Sequence, residues 1–352
     1  MTFSLRHAHW GLARLVLLMS SQLVLSCHCE QEQKKSAELA PPSSGRATHE
    51  RSPSVQHSES TPLLRLNLSA YHTQISATAS AIYLLTSNGL STLTTERPPV
   101  HLPLAYEGAA ALTDKRLVFF ARGALHSLTL AQDPTLAKDK TQLLAEVKTM
   151  PYLLAASERH VAWVEAGTDK GQRLYSLRSD HKTPIYETAG VLTSLVIQAE
   201  HVFFLETLAP QADGPLTNTS GNWTLKRVPL DGGAAISAST WSGRTPALLF
   251  AHEQLFFYHG HERSVYRLSP DFAVTEIAAK DAVCSPFTVA DDLYCAHVGG
   301  ITRLSLTGNP SARLPIMVKS PITSLHFGPP GLLWVADVGP NQLELSLLAL
   351  KK

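Results

Sequence analysis

A short apolar stretch that carries an aromatic residue recurs seven times along the chain. The copies begin at Ile82, Leu117, Val161, Val202, Leu255, Leu293 and Leu333, so that neighbouring first residues lie 35, 44, 41, 53, 38 and 40 positions apart. The mean spacing is about 42 residues, which is the period of four-stranded propeller blades. Aromatic and β-branched residues cluster in short runs between turn residues, which disfavours a helical fold. We therefore predict an all-β, seven-bladed β-propeller, with a β-sandwich pair or a β-helix as the alternatives.

Further apolar segments surround each copy in the order that a four-stranded blade requires. One segment precedes every copy, and a pair of aliphatic residues three positions apart follows it. A fourth segment follows six of the copies, for example residues 100–104, 141–147, 273–278 and 312–318. The seventh copy has no fourth segment, whereas Leu63, Leu64, Leu66 and Leu68 form an unassigned strand at the other end. We therefore predict that the N-terminal strand closes the ring, which removes its exposed edges.

The N-terminal thirty residues have the character of an export signal. Arg6 and Arg14 precede a run of apolar or small residues from 15 to 26, which is too short to span a bilayer. The run ends in Val24-Leu25-Ser26-Cys27, which resembles the bacterial lipobox. The resemblance implies that residues 1–26 are removed and that Cys27 becomes lipidated. With His28 next, it also implies sorting to the outer membrane, on its periplasmic or surface side. An ordinary secretory signal is the alternative.

Residues 27–60 differ in composition from the rest of the chain. From residue 30 to residue 60 there is no aromatic residue and there are five scattered aliphatic ones. Such a segment cannot bury enough apolar surface to offset the entropy of ordering it. We expect a disordered tether with an average span of roughly 30 Å. The predicted organisation is a signal peptide (1–26), a tether (27–60) and the propeller (61–352).

Several repeat units resemble those of a known propeller family. Residues 225–233 (LKRVPLDGG) and 301–308 (ITRLSLTG) resemble the second half of YWTD-like propeller repeats, and residues 292–297 and 333–337 occupy the first half. The resemblance covers roughly residues 61–352. It implies a propeller architecture, which hosts binding platforms, assembly scaffolds and enzymes alike.

Two cysteines belong to the sixth predicted blade. Cys284 and Cys295 lie eleven residues apart in its first and second strands. Export permits a disulfide between them. A tight turn at Asp291-Asp292 would instead place Cys295 opposite residue 287 or 288. The pattern therefore leaves two readings open, a Cys284–Cys295 bridge and two buried thiols.

Other polar patterns do not indicate chemistry. His252, His259 and His261 invite a zinc site, but a hairpin turn is the simpler reading because no further ligand has the required spacing. Asp231-Gly232-Gly233 and Asp291-Asp292 have the composition of turns. The sequence contains no phosphate-binding loop, hydrolase nucleophile motif or zinc-protease motif. We expect no cofactor and no catalytic residue.

Charge and loop length complete the functional prediction. The formal net charge of +1 argues against a nucleic-acid partner. The longest spacing places an insertion at residues 206–222, in the fourth blade. It is either a neutral insertion or a binding loop on a rigid scaffold. We predict a monomeric, membrane-tethered binding or scaffold protein of the cell envelope with a protein or glycan partner. The rival is a propeller-type hydrolase or lyase acting on a glycan, peptide or lactone.

Overall fold

The chain folds into twenty-eight β-strands in the part that the computed structural model describes. This part comprises residues 61–66, 73–94, 97–130, 141–166, 171–178, 181–207, 221–243, 247–251, 254–259, 264–269, 271–278, 287–297, 299–306, 312–314, 316, 318–339 and 342–349. Within these ranges, no helix has the length and apolar character that crossing a membrane requires.

The strands form seven antiparallel sheets of four strands each, one for every predicted repeat. The inner strands are β2 (Gln74–Ala77), β6 (Ala110–Leu112), β10 (Leu153–Ala156), β14 (Val191–Gln198), β18 (Ala247–Ala251), β22 (Phe287–Val289) and β26 (Ile322–Gly328). The second strands are β3 (Ala81–Thr86), β7 (Arg116–Ala121), β11 (Val161–Ala166), β15 (His201–Thr207), β19 (Gln254–His259), β23 (Leu293–His297) and β27 (Gly331–Gly339). All seven apolar copies lie in these second strands, as predicted.

The third and fourth strands complete each blade on its outer side. The third strands are β4 (Gly89–Thr94), β8 (Ala124–Thr129), β12 (Gln172–Arg178), β16 (Gly221–Pro229), β20 (Ser264–Leu268), β24 (Gly300–Leu304) and β28 (Gln342–Leu348). The fourth strands are β5 (Val100–Pro103), β9 (Thr141–Glu146), β13 (His181–Thr188), β17 (Ile236–Gly243), β21 (Val274–Ala278), β25 (Ala312–Arg313) and, in blade 7, β1 (Thr61–Leu66). β25 is much shorter than the predicted segment 312–318.

The seven blades form a closed ring. Each inner strand contacts the inner strands of the two neighbouring blades, in the cycle β2, β6, β10, β14, β18, β22, β26 and back to β2. This arrangement confirms the predicted seven-bladed propeller.

The ring is closed by pairing between the two ends of the described chain. β1 runs antiparallel to β28, with Thr61 opposite Leu347 and Leu66 opposite Leu343. Arg65 Nε donates to Glu344 Oε2 at 2.7 Å across this pair. The predicted N-terminal closing strand is therefore confirmed, although it begins two residues earlier than the leucine pattern indicated. Leu68, the last leucine of that pattern, lies outside the described residues.

The core lies between the blades, because alternate residues of each second strand face opposite neighbours. Val118 and Phe120 of blade 2 pack against Val161 and Trp163 of blade 3, and equivalent clusters fill the other six junctions. In blade 7 the residue that packs like the first residue of the other copies is Leu332, one position before Leu333. Leu332 and Trp334 face blade 6, whereas Leu333 and Val335 face blade 1. The apolar run 332–336 fits either phase, so the pattern alone could not decide.

The two predicted turns are present. Gly232 and Gly233 adopt φ angles of 91° and 133°, which favour glycine, and Gly232 N donates to the Pro229 carbonyl at 3.0 Å. Ala290 N donates to the Asp292 carbonyl at 2.9 Å in the turn between β22 and β23.

The alternating strand directions give the ring two distinct faces. The crossover face holds the second-to-third strand turns and the connections between blades. The root face holds the first-to-second and third-to-fourth strand turns. β1 begins on the root face, because Thr61 pairs with the C-terminal part of β28.

Closure can be tested by removing β1. Deleting residues 61–66 would leave β28 with an unpaired edge, so we expect aggregation or a Tm lowered by roughly 10 °C in thermal unfolding. Deleting the equally long segment 45–50 should leave the Tm unchanged. Similar effects from both deletions would contradict closure by this strand.

Candidate functional site

One position near the crossover-face end of the second strands is ionisable in four consecutive blades. The residues are Glu165 in blade 3, Glu206 in blade 4, His259 in blade 5 and His297 in blade 6. The equivalent position in another blade is the residue whose side chain packs against the preceding blade in the same way. In blades 1, 2 and 7 it is occupied by Thr86, Ala121 and Ala336. Each of the four lies four positions after the first residue of its apolar copy. Our sequence reasoning missed this regularity.

Glu165 lies in a buried cluster within blade 3. Trp163 Nε1 donates to Glu165 Oε1 at 2.7 Å, and Lys182 Nζ lies 2.6 Å from the same oxygen. Thr149, from the connection between blades 2 and 3, donates its hydroxyl to Oε2 at 3.3 Å. Lys182 Nζ also lies 4.2 Å from the ring centre of Tyr175, a favourable cation–π distance. The carboxylate is therefore satisfied by three donors.

Glu206 lies in a similar cluster at the junction of blades 3 and 4. Its carboxylate accepts hydrogen bonds from the hydroxyls of Tyr186, at 3.0 Å, and Thr188, both on β13 of blade 3. Lys226 of β16 pairs with the same carboxylate and donates to Tyr186 Oη at 2.9 Å. The Glu206 side chain is 4% exposed and that of Lys226 is 22% exposed. Carboxylate, phenol and ammonium therefore join two blades.

The pKa shifts in this second cluster follow from its geometry. Burial alone would raise the pKa of Glu206, but the hydrogen bonds from Lys226 and Thr188 outweigh it, so the pKa lies below its ordinary value. Burial likewise opposes the charge of Lys226, yet its bond to Glu206 raises its pKa. The pKa of Tyr186 is raised, chiefly by burial. The three groups therefore hold one charged pair and one neutral phenol at neutral pH.

The two histidines have different surroundings. His259 is fully buried, directly opposite Ser264 of β20, whose hydroxyl donates to Glu276 at 2.7 Å. His297 Nε2 lies 3.0 Å from Thr302 Oγ1. Of the predicted histidine group, His252 and His261 lie outside the described residues. Among the residues that the structure does describe, no three His, Cys, Asp or Glu side chains are grouped to hold a metal ion.

The central channel is lined by the inner strands, and side chains from neighbouring blades cap their open edges. Gln74 of blade 1 donates to the Ala110 carbonyl and accepts from Leu112 N, both at 2.9 Å, in blade 2. Gln172 accepts from Leu192 N at 2.6 Å. His326 of β26 is the titratable group with the largest shift here, because burial lowers its pKa to about 4. It is therefore neutral at pH 7.

The connections between blades form part of the crossover face. A Cβ at Gly108, which has φ +68°, would lie 2.8 Å from the Pro151 carbonyl oxygen. The segments 104–109 and 147–152 therefore pack closely against each other. Met150 and Tyr152 lie on this surface with relative exposures of 55% and 39%. Both are large side chains that remain partly in solvent, although partial burial raises the pKa of the Tyr152 phenol.

The root face holds a third buried carboxylate. Asp292 pairs with Arg303 of β24 and accepts a hydrogen bond from Leu306 N. Asp292 therefore anchors its own blade.

The cysteines are only partly described. Cys295 is disulfide-bonded and is opposite Phe287 of β22, as its predicted register required. Cys27 and Cys284 lie outside the described residues, so lipidation and the Cys284–Cys295 pairing stay predictions. The central part of the predicted blade-4 insertion, residues 208–220, also lies outside them. Its two ends do not: Glu206 and Thr207 belong to β15, and Gly221 and Asn222 to β16.

Comparison with known proteins supports the fold. No family model and no curated protein matches the chain. Among solved structures, it is similar to an oligogalacturonate lyase from Vibrio parahaemolyticus, with a TM-score of 0.57, 10% identity, and coverage of 82% of this chain and 98% of that one. It is also similar to virginiamycin B lyase from Staphylococcus aureus, with a TM-score of 0.54 and 13% identity. This match covers 82% of this chain and 100% of that one.

A third similar chain comes from a structure of the mitotic checkpoint complex. Its TM-score is 0.54 at 8% identity, covering 88% of this chain and 99% of that one. The similar folds thus include lyases and a member of a protein assembly. At these identities the likeness concerns the fold alone.

The Glu206 cluster predicts a pH-dependent stability. Glu206→Gln removes a carboxylate whose folded-state pKa is depressed, and should cost about 2–3 kcal/mol at pH 7, because Lys226 loses its buried partner. That contribution exists above the ordinary glutamate pKa, and it disappears as the pH falls through the lower folded-state value. Urea denaturation of both proteins between pH 7 and pH 3 measures the difference.

A matched control is Glu187→Gln, which removes an exposed carboxylate paired with Arg173. It should change the stability by less than about 0.5 kcal/mol at every pH. If Glu206→Gln changes the stability as little as this, or by an amount independent of pH, Glu206 does not help to join blades 3 and 4.

Proposed function

We propose that the protein is a membrane-tethered binding or scaffold protein of the cell envelope, anchored through Cys27 in the outer membrane. In this proposal the monomeric propeller offers its crossover face to a protein or glycan partner. The observation that carries this proposal is that the crossover face has large exposed side chains, while the carboxylates beneath it are buried and hydrogen-bonded. Met150 and Tyr152 are exposed, whereas Glu165 and Glu206 are buried and occupied by donors from their own and neighbouring blades.

This contrast favours binding over chemistry. General acid–base catalysis requires a titratable group within hydrogen-bond reach of a reacting atom. The two carboxylates instead accept hydrogen bonds from Trp163, Tyr186 and lysine side chains. A face with exposed tyrosine and methionine side chains suits protein recognition, because both residue types are enriched at protein interfaces.

The disulfide at Cys295 supports an exported location. Disulfides persist in the periplasm and at cell surfaces and are rare in the cytosol. The apolar run before Cys27 agrees with the same compartment.

The lipid anchor is tested by Cys27→Ser. In the bacterial host we expect this change to abolish labelling by a clickable fatty acid and to release the protein from the membrane fraction, because the thiol is the acylated atom. The control is Cys29→Ser, which should keep both label and membrane association. A Cys27→Ser protein that remains in the membrane fraction would refute the anchor.

The binding face is tested by a double change, Met150→Ser with Tyr152→Ser. In crosslinked pull-downs from the protein's own envelope, quantified by mass spectrometry, we expect the partner to fall by roughly tenfold, as when interface anchors are truncated. The control is Leu143→Ser with Ile236→Ser, which alters two side chains of similar exposure on the outer strands β9 and β17. Equal partner recovery from both variants would contradict binding at the crossover face.

A propeller-type lyase or hydrolase is the second candidate. The observation in its favour is the ionisable position shared by blades 3–6, together with the lyases among the proteins of similar fold. Incubation with oligogalacturonate or virginiamycin B, followed by ultraviolet absorbance and mass spectrometry, would show products of elimination. Product formed by the native protein and lost in His297→Ala would favour this candidate.

A further inference from the structure

We propose that the ring is held with its root face toward the membrane and its crossover face outward, so that a protein partner reaches the crossover face from the aqueous side. This inference rests on the proposed anchor. It follows from the direction of β1, and it adds an orientation that the anchor alone does not specify.

The first step is the position of the chain that leads into the ring. Thr61 pairs with Leu347, and β28 runs from the crossover face to the root face. The residues that precede Thr61 therefore leave the blade at the root face. Arg65 and Glu344 reinforce the pair, so the attachment point is fixed to the rigid ring.

The second step is the distance between the faces. The strands of each blade run between the two faces, and most have five to nine residues, a length of roughly 15–30 Å. The predicted tether, 27–60, has an average span of roughly 30 Å. The crossover face lies about one strand length farther than the root face from Thr61, where the chain enters the ring.

The third step is the charge of the root face. Its described turns carry both signs: Arg97, Lys115 and Arg159 in blades 1–3, and carboxylates in blades 4–6. Two of these carboxylates are already paired, Glu200 with Arg178 and Asp292 with Arg303. The face therefore has no patch of one sign that anionic headgroups would strongly attract or repel, and the entry point of the chain decides which face lies nearer the lipid.

A matched pair of single cysteines tests this orientation. Lys148 and Arg159 are both exposed and basic, and they flank β10 at its crossover-face and root-face ends respectively. Lys148→Cys and Arg159→Cys are each made in a Cys29→Ser background with the full or a shortened tether. The shortened tether lacks residues 33–57, which leaves nine residues before β1.

The measurement is the rate of labelling by a bulky polyethylene-glycol maleimide, in isolated membranes and after detergent solubilisation. With the shortened tether we expect the membrane to slow labelling of the Arg159→Cys protein by roughly fivefold or more, because nine residues span only about 17 Å. Labelling of the Lys148→Cys protein should stay within about twofold of its detergent rate, one strand length farther out. Equal slowing of both, or slowing of Lys148→Cys alone, overturns the orientation.

A parallel set separates this inference from the lipid anchor. In it, residues 1–27 are replaced by a membrane-spanning helix, so that attachment no longer depends on acylation. Face-selective slowing in this set supports the orientation whatever the fate of Cys27. If only the proteins with the natural residues 1–27 fail to associate with the membrane, the lipid anchor is refuted and the orientation is not. An unchanged tryptophan fluorescence spectrum of every variant in detergent shows that the ring remains folded, because Trp163 is fully buried in it.

Discussion

The pairing of β1 with β28 is the constraint on which the rest of the ring depends. Six blades take all four strands from one continuous segment, but the seventh borrows its outer strand from residues that precede blade 1. Without this pair, β28 would present an open edge and blade 7 would be held only by its inner contacts. Closure joins the two ends of the described chain, so each blade has two neighbours and every core junction between blades is filled.

Within the closed ring, polar groups add specificity to junctions that are otherwise apolar. Junctions such as that of blades 2 and 3 rest on aromatic and branched side chains, whereas the junction of blades 3 and 4 also contains the Glu206 cluster. A buried ion pair contributes little stability compared with apolar packing, but losing one partner is costly. We therefore interpret the cluster as a device that selects one mutual position of two blades, supported by the phenol of Tyr186.

The sequence predicted the architecture well because a blade repeats its pattern, and it failed where one residue decides. The seven apolar copies set the blade number, and the missing fourth segment required closure by an N-terminal strand. The run from Leu332 to Ala336 is apolar at every position, so its packing phase needed the neighbouring blades. Glu206 was assigned to an insertion because a charged residue followed an apolar run. Its partners Tyr186 and Thr188 come from another blade, and no local pattern pairs them.

The same topology places the entry of the chain and the connections between blades on opposite faces. The chain must enter at the root face because β1 is a fourth strand, and fourth strands of this ring start there. The connections between blades must lie on the other face, since each leads from a fourth strand to the next inner strand. Those connections carry Met150 and Tyr152, and their backbones are held by close packing at Gly108. The entry point of the chain and these exposed side chains therefore lie at opposite ends of the strands.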